Sequence, residues 1–208
     1  MAYQIEGEEP LYAIEGSVPI AGAAVQWLRD NLNIIKSSDE IESLAMGEKD
    51  NGDVYFVPAF SGLFSPHWDE TARGALFGLT RFSNKSHIAR SVLESVAFQS
   101  YELLQSMEKD LGIEFQNLKV DGGMVSNNLL MQFQSDILNK TIISQEINEI
   151  TALGAGVASY IFAENLNIEN VGDFISTFKT WNPNMSNESR ENLLTSWFKA
   201  IEKSKHWL

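Results

Sequence analysis

The chain has no cysteine in its 208 residues, which rules out disulfides, thiolate zinc sites and cysteine nucleophiles. It is also poor in basic residues: 15 Lys and Arg stand against 28 Asp and Glu, a formal charge of −13. That balance argues against nucleic acid or an anionic membrane surface as the main partner, although a local backbone site still binds phosphate within an acidic protein. No apolar run approaches the length needed to span a bilayer. No signal peptide is visible either, because Met1 is followed by Glu6, Glu8 and Glu9 rather than by a basic flank and an apolar core. A cytoplasmic location is the expectation. The Gly-x-x-x-x-Gly-Lys-[Ser/Thr] loop is missing, which excludes a P-loop enzyme. The three histidines, His67, His87 and His206, lack metal-ligand spacing, and Ser65 with His67 has no nucleophile-elbow context.

What remains is the composition of a globular protein, 44% hydrophobic and 21% charged, long enough for one large domain with its own core. The most informative stretch runs from Leu118 to Met131. Leu118 and Val120 alternate like the end of a half-buried strand, and Asp121-Gly122-Gly123 is a turn signal. Ser126 and Asn127 are helix-capping types, and Leu129, Leu130, Phe133 and Ile137 continue as an apolar helical stripe. A strand, a glycine pair and a helix start place backbone N–H groups where a phosphate can approach, because glycine has no Cβ to bar it. An ordinary tight turn between strand and helix has the same signature.

Along the rest of the chain, residues 1–10 are acidic and read as a ragged terminus or an artificial junction. Leu11 to Gly16 is strand-like and leads into a helix from Ala21 to Leu32. Gly22 near that helix start costs propensity, which suggests close packing or close ligand approach. Residues 37–53 are polar and read as a solvated connection with a short helix at Ile41–Met46. Strands are expected at Val54–Phe60 and Gly74–Thr80, separated by a loop holding Pro66, His67, Trp68 and Asp69. Asp69, Glu70 and Asp121, the acidic residues nearest the glycine turns, suit capping and loop hydrogen bonds better than general base work. Trp27 and Trp68 suit packing better than base stacking.

Ser86 is the expected cap of a long helix to Leu111, with Gly112 as its C-terminal stop. Lys140–Ser144 reads as a strand, and Thr151 as the cap of a helix to Phe162. The small residues Gly154, Ala155 and Ala158 predict close packing of that helix on the sheet or the glycine turn. Gly154-Ala-Gly156 is read as helix packing rather than a dinucleotide fingerprint. Phe174–Trp181 is ambiguous, and a final helix begins at Asn187 or Ser189. The pattern is α/β with a mixed sheet flanked by helices, in one domain over residues 11–208.

Several stretches in this order resemble the carboxy-terminal half of the glycerol kinases, within the FGGY carbohydrate kinases. They are Tyr12-Ala-Ile-Glu-Gly16, Ala21-Gly-Ala-Ala-Val-Gln-Trp-Leu-Arg-Asp30, Val57-Pro-Ala-Phe-Ser-Gly-Leu63 and Ala72-Arg-Gly-Ala-Leu-Phe-Gly-Leu-Thr-Arg81. Val120-Asp-Gly-Gly-Met124, Met131-Gln-Phe-Gln-Ser-Asp136 and Thr151-Ala-Leu-Gly-Ala155 complete the set. Gly74-x-Leu76-x-Gly78-Leu79, with His87-Ile88 and Ser91-Val-Leu-Glu94, is similar to that family's second sequence pattern. Departures fall in one loop, where His67 stands for a usual tyrosine and Phe64-Ser65 for smaller residues.

The resemblance implies an actin-like ATPase (ribonuclease H-like) domain with an ATP site. Gly22 and Gln26 match positions near the nucleotide, and Gly122, Gly123 and Asn127 match the turn and helix start at the adenosine phosphates. It implies that the Gly-Thr-Thr phosphate loop, an Arg-Glu pair, the catalytic aspartate and most of the polyol site lie in a preceding half. None of those motifs occurs here, so no catalytic residue and no metal ligand is expected in this chain. ATP or ADP, a Mg2+ ion held mainly by the missing N-terminal kinase domain, and glycerol are the implied cofactors and partners. The lone chain is expected to be inactive and, with a bare interdomain face, to form a homo-oligomer. A non-catalytic nucleotide-binding or interaction module, or the matching half of a xylulose or gluconate kinase, remain alternatives.

Overall fold

A computed structural model describes residues 2–4, 7–145, 150–164 and 178–208. The helices are α1 (Gly22–Asp30), α2 (Glu40–Ala45), α3 (Lys85–Leu111), α4 (Asn128–Leu138), α5 (Ile150–Ala163) and α6 (Asn187–Ser204). The strands are β1 (Tyr55–Val57), β2 (Ala75–Phe77), β3 (Asn117–Val120), β4 (Thr141–Gln145) and β5 (Phe178–Trp181). Among the described residues, no helix is long and apolar enough to cross a membrane.

The long helix α3 is the spine. Asn84 caps it, its side chain accepting from the amides of Ser86 (2.8 Å) and His87 (3.3 Å), while His87 Nδ1 accepts the Asn84 amide at 3.2 Å. The cap is therefore Asn84 rather than Ser86. Asn84 has the extended backbone that an N-cap requires, whereas Ser86 lies inside the first turn. Gly112 ends the helix at φ 67, as its sequence position suggests.

Packing on α3 explains the core. Phe98 stacks on Trp197 of α6 at 4.9 Å and meets Phe133 of α4 edge-on at 5.5 Å, so one ring joins three helices. β1 is buried throughout and lies against α3. Trp27 of α1 stacks on Phe56 at 5.4 Å, which makes it a packing residue.

The α/β class holds, but the described strands divide into two sheets. β1 and β2 form their own antiparallel ribbon, with Phe56 opposite Leu76. The mixed sheet is the other one: β3 runs parallel to β4, and β5 antiparallel to it. The mixing thus comes from β5, in the stretch that the sequence leaves ambiguous.

Other local expectations change. Leu11–Gly16 is not a strand; Leu11 makes only an isolated bridge to Tyr3, and its alternating residues stay exposed because no strand pairs with them among the described residues. Thr151 sits inside the first turn of α5 rather than at its cap. α5 is not closely packed within the described residues. Only Val157 is buried there, and a Cβ on Gly154 or Gly156 meets nothing within 4 Å. The final helix does start at Asn187, the first of its two expected positions, with Ser186 as its cap. The part of Phe174–Trp181 before Phe178 lies outside the described residues.

Candidate functional site

Three pieces of backbone meet above α3. The start of α1 provides Gly22, Val25 and Gln26; the approach to α2 provides Ser38, Asp39, Ile41 and Glu42. The third is the turn after β3 with the start of α4, which provides Gly123, Met124, Ser126 and Asn127. Leu93 of α3 closes the floor of a cavity of about 590 Å³. That volume lies within the range of small-molecule sites.

The turn is a short 3-10 helix, Gly123–Ser126, that the sequence pattern did not reveal. Gly122 enters it at φ 93, a left-handed conformation that a side chain opposes. Asn127 follows as the N-cap of α4, its side chain accepting the Leu130 amide at 2.8 Å. Glu42 joins the same helix end from α2, with Oε1 accepting the Leu129 amide at 2.9 Å. Two of the orphan amides of α4 are thereby satisfied by protein groups.

α1 differs. Its N-cap position is Ala21, with no side-chain hydrogen bond to the helix start. The positive end of α1 therefore opens on the cavity at Gly22, next to the turn: a Cβ built on Gly22 would stand 3.8 Å from Met124 Sδ. A Cβ on Gly123 would meet nothing within 4 Å. These two glycines leave open space beside backbone amides, the geometry that admits a phosphate. No Lys or Arg lines the cavity, so attraction for an anion comes from backbone dipoles rather than from charge.

Of the residues singled out from the sequence, Gly22, Gln26, Gly123 and Asn127 line this one cavity. Gly122 is not among the lining residues; its role is to give the turn its shape. Sequence reading missed Ser38, Asp39 and Glu42, because a polar stretch without apolar periodicity looks like a solvated connection.

Titratable groups elsewhere in the structure are tied into its frame. Glu94, next to Leu93 on α3, is fully buried and accepts from Arg90 Nε at 3.0 Å and Asn51 Nδ2 at 2.8 Å. Burial pushes its carboxyl up to about 7, against the opposing pull of Arg90. Asp69 accepts from the Thr71 hydroxyl at 2.6 Å, the Thr71 and Ala72 amides, and the His206 amide at 3.0 Å. The Thr71 hydroxyl above all holds that carboxyl down to about 2, and Asp69 fastens its loop to the end of α6. His67 is also internal to the structure, paired with Glu102 at 2.6 Å. Trp68 stands exposed on the same loop.

Residues 2–161 match the sequence model of the FGGY family of carbohydrate kinases, C-terminal domain. The whole chain is similar to glycerol kinases, at 50% identity for that of Brucella anthropi and 49% for that of Methylobacterium radiotolerans. It spans only 42% of the length of either protein. Among solved structures, the glycerol kinase of Plasmodium falciparum with ADP superposes with a TM-score of 0.88 at 34% identity, over 96% of this chain and 40% of that one. A xylulose kinase from Lactobacillus acidophilus shares the fold, with a TM-score of 0.69 at 21% identity over 88% of this chain and 37% of that one.

Proposed function

The chain belongs to the FGGY family of carbohydrate kinases, and on that premise we propose that it is the ATP-holding half of a glycerol kinase. The reading rests on one observation: Gly22, Gln26, Gly123 and Asn127, distant in sequence, line a single cavity at the uncapped start of α1. Glycerol kinases at 50% and 49% identity over the full chain favour glycerol as the acceptor. The chain spans less than half of those relatives, so the acceptor site and the transfer chemistry belong to the remaining length.

In this reading the phosphates of ATP lie against the amides at Gly22 and the Gly123 turn, where the absence of a Cβ allows van der Waals approach. Asn127 has its Oδ1 committed to Leu130, which leaves Nδ2 to donate to the ligand, and Gln26 offers a second amide. The chain positions the nucleotide and excludes water from its adenosine side. Mg2+, which would be held mainly by the other half, would supply charge neutralisation of the phosphates. Closure of the two halves then brings the terminal phosphate to the glycerol hydroxyl.

The test is reconstitution. The 208-residue chain alone is expected to leave glycerol unphosphorylated. Joined behind the preceding length of the Brucella anthropi enzyme, in place of that enzyme's own final part, it is expected to restore ATP-dependent formation of glycerol phosphate. A folded fusion that turns over no glycerol contradicts the assignment.

A further inference from the structure

The cavity is electrically lopsided. On the side of α2 it presents the carboxylates of Asp39 and Glu42; on the side of α1 it presents the uncapped positive end of a helix and an open glycine turn. Glu42 cannot swing away freely, because Oε1 is held at 2.9 Å by the Leu129 amide. Its second oxygen has no protein partner among the described residues. Asp39 likewise makes no side-chain hydrogen bond to its helix. Arg29 reaches Ser38 Oγ on this wall at 3.2 Å, while its Nε and Nη2 are taken by Asp30 at 2.6 and 2.9 Å. The α2 wall therefore carries two carboxylates, with no Lys or Arg among the described residues that line the cavity.

We infer that Glu42, with Asp39 beside it, sets the direction in which a nucleotide lies in the cavity, repelling the phosphates towards Gly22 and Gly123. The inference rests on the nucleotide reading above and deepens it. With Asn127 and Glu42 occupying the Leu130 and Leu129 amides, two of the first amides of α4 are closed to phosphate and a negative charge stands beside them. The α2 wall offers acceptors only, and these suit the hydrogen-bond donors of the neutral end, the ribose hydroxyls and the amino group of adenine. Glu42 thus acts as a positioning and specificity residue through charge, separately from its hydrogen bond to α4.

Glu42→Gln removes the charge and keeps an oxygen for the Leu129 amide. The experiment is calorimetric titration of wild type, Glu42→Gln and Asp39→Asn with ATP and with adenosine, at low and at high salt. The expected result is an affinity ratio of ATP to adenosine that rises about three- to tenfold in Glu42→Gln at low salt and falls back at high salt, as screening requires. Asp39→Asn is expected to move the ratio the same way by less, and it decides the matter if Glu42→Gln unfolds early. A purely structural role for Glu42 would weaken both ligands alike. Binding of both ligands with an unchanged or lowered ratio overturns this inference and leaves the nucleotide reading standing. A wild-type chain that binds neither ATP nor adenosine overturns both.

Discussion

Asn127 accepts the Leu130 amide at 2.8 Å, so a residue that lines the cavity is at the same time the N-cap of α4. One side chain serves stability through its oxygen and, on our reading, ligand binding through its nitrogen. Asn127→Asp keeps the cap and removes the donor. It is expected to unfold at the wild-type temperature while losing ATP affinity about tenfold or more, since it also adds a negative charge. Asn127→Ala loses both, with about 1 kcal/mol of stability lost in denaturant titration.

Gly22 and Gly122 separate in the same way. A methyl on Gly22 meets only ordinary contact, with Met124 Sδ at 3.8 Å. Gly22→Ala is expected to leave thermal unfolding unchanged or slightly raised while weakening ATP, because the methyl takes the phosphate's room. Gly122→Ala imposes a side chain at φ 93 and is expected to cost about 1–2 kcal/mol in equilibrium unfolding. Equal effects of the two on stability would contradict these separate roles.

Glu94 predicts a pH dependence with a definite sign. Burial raises its carboxyl in the folded chain to about 7, from an ordinary value of 4.5. The folded state then binds more protons than the unfolded state across that interval, so this group's stabilisation is present below the unfolded value and is lost as pH rises through the folded one. Chemical denaturation at a series of pH values is expected to show stability declining through this window, and Glu94→Gln is expected to flatten the decline. A steeper slope in the variant would refute the assignment.

Phe98 ties α3 to α4 and α6 through the rings of Phe133 and Trp197. Phe98→Ala is expected to cost about 3–5 kcal/mol in urea unfolding. A loss below about 1 kcal/mol would show that the three helices do not meet through this ring.

The sequence was legible where a local rule decides the outcome. Asn127 as a cap and Gly112 as a helix stop both follow from short-range chemistry. It misled where partners come from elsewhere in the chain. Leu11 to Gly16 alternates like a strand but finds none to pair with among the described residues, and the small residues of α5 face open space there rather than a neighbour. Gly22, Gly123 and Asn127 stood out by themselves as a glycine-marked helix start and a glycine turn with its cap, whereas Gln26 was recognisable through family resemblance alone. Nothing in residues 37–53 announced that Asp39 and Glu42 line the same cavity, because the bond from Glu42 to Leu129 spans 87 residues.

The central claim, that the cavity between α1 and the Gly123 turn holds ATP, is tested most directly by one titration. ATP is added calorimetrically to the wild-type chain and to Gly123→Val, in which the added Cβ meets nothing within 4 Å of the protein. The account expects measurable binding to wild type and its loss in Gly123→Val at unchanged thermal unfolding. Equal binding to both would contradict it.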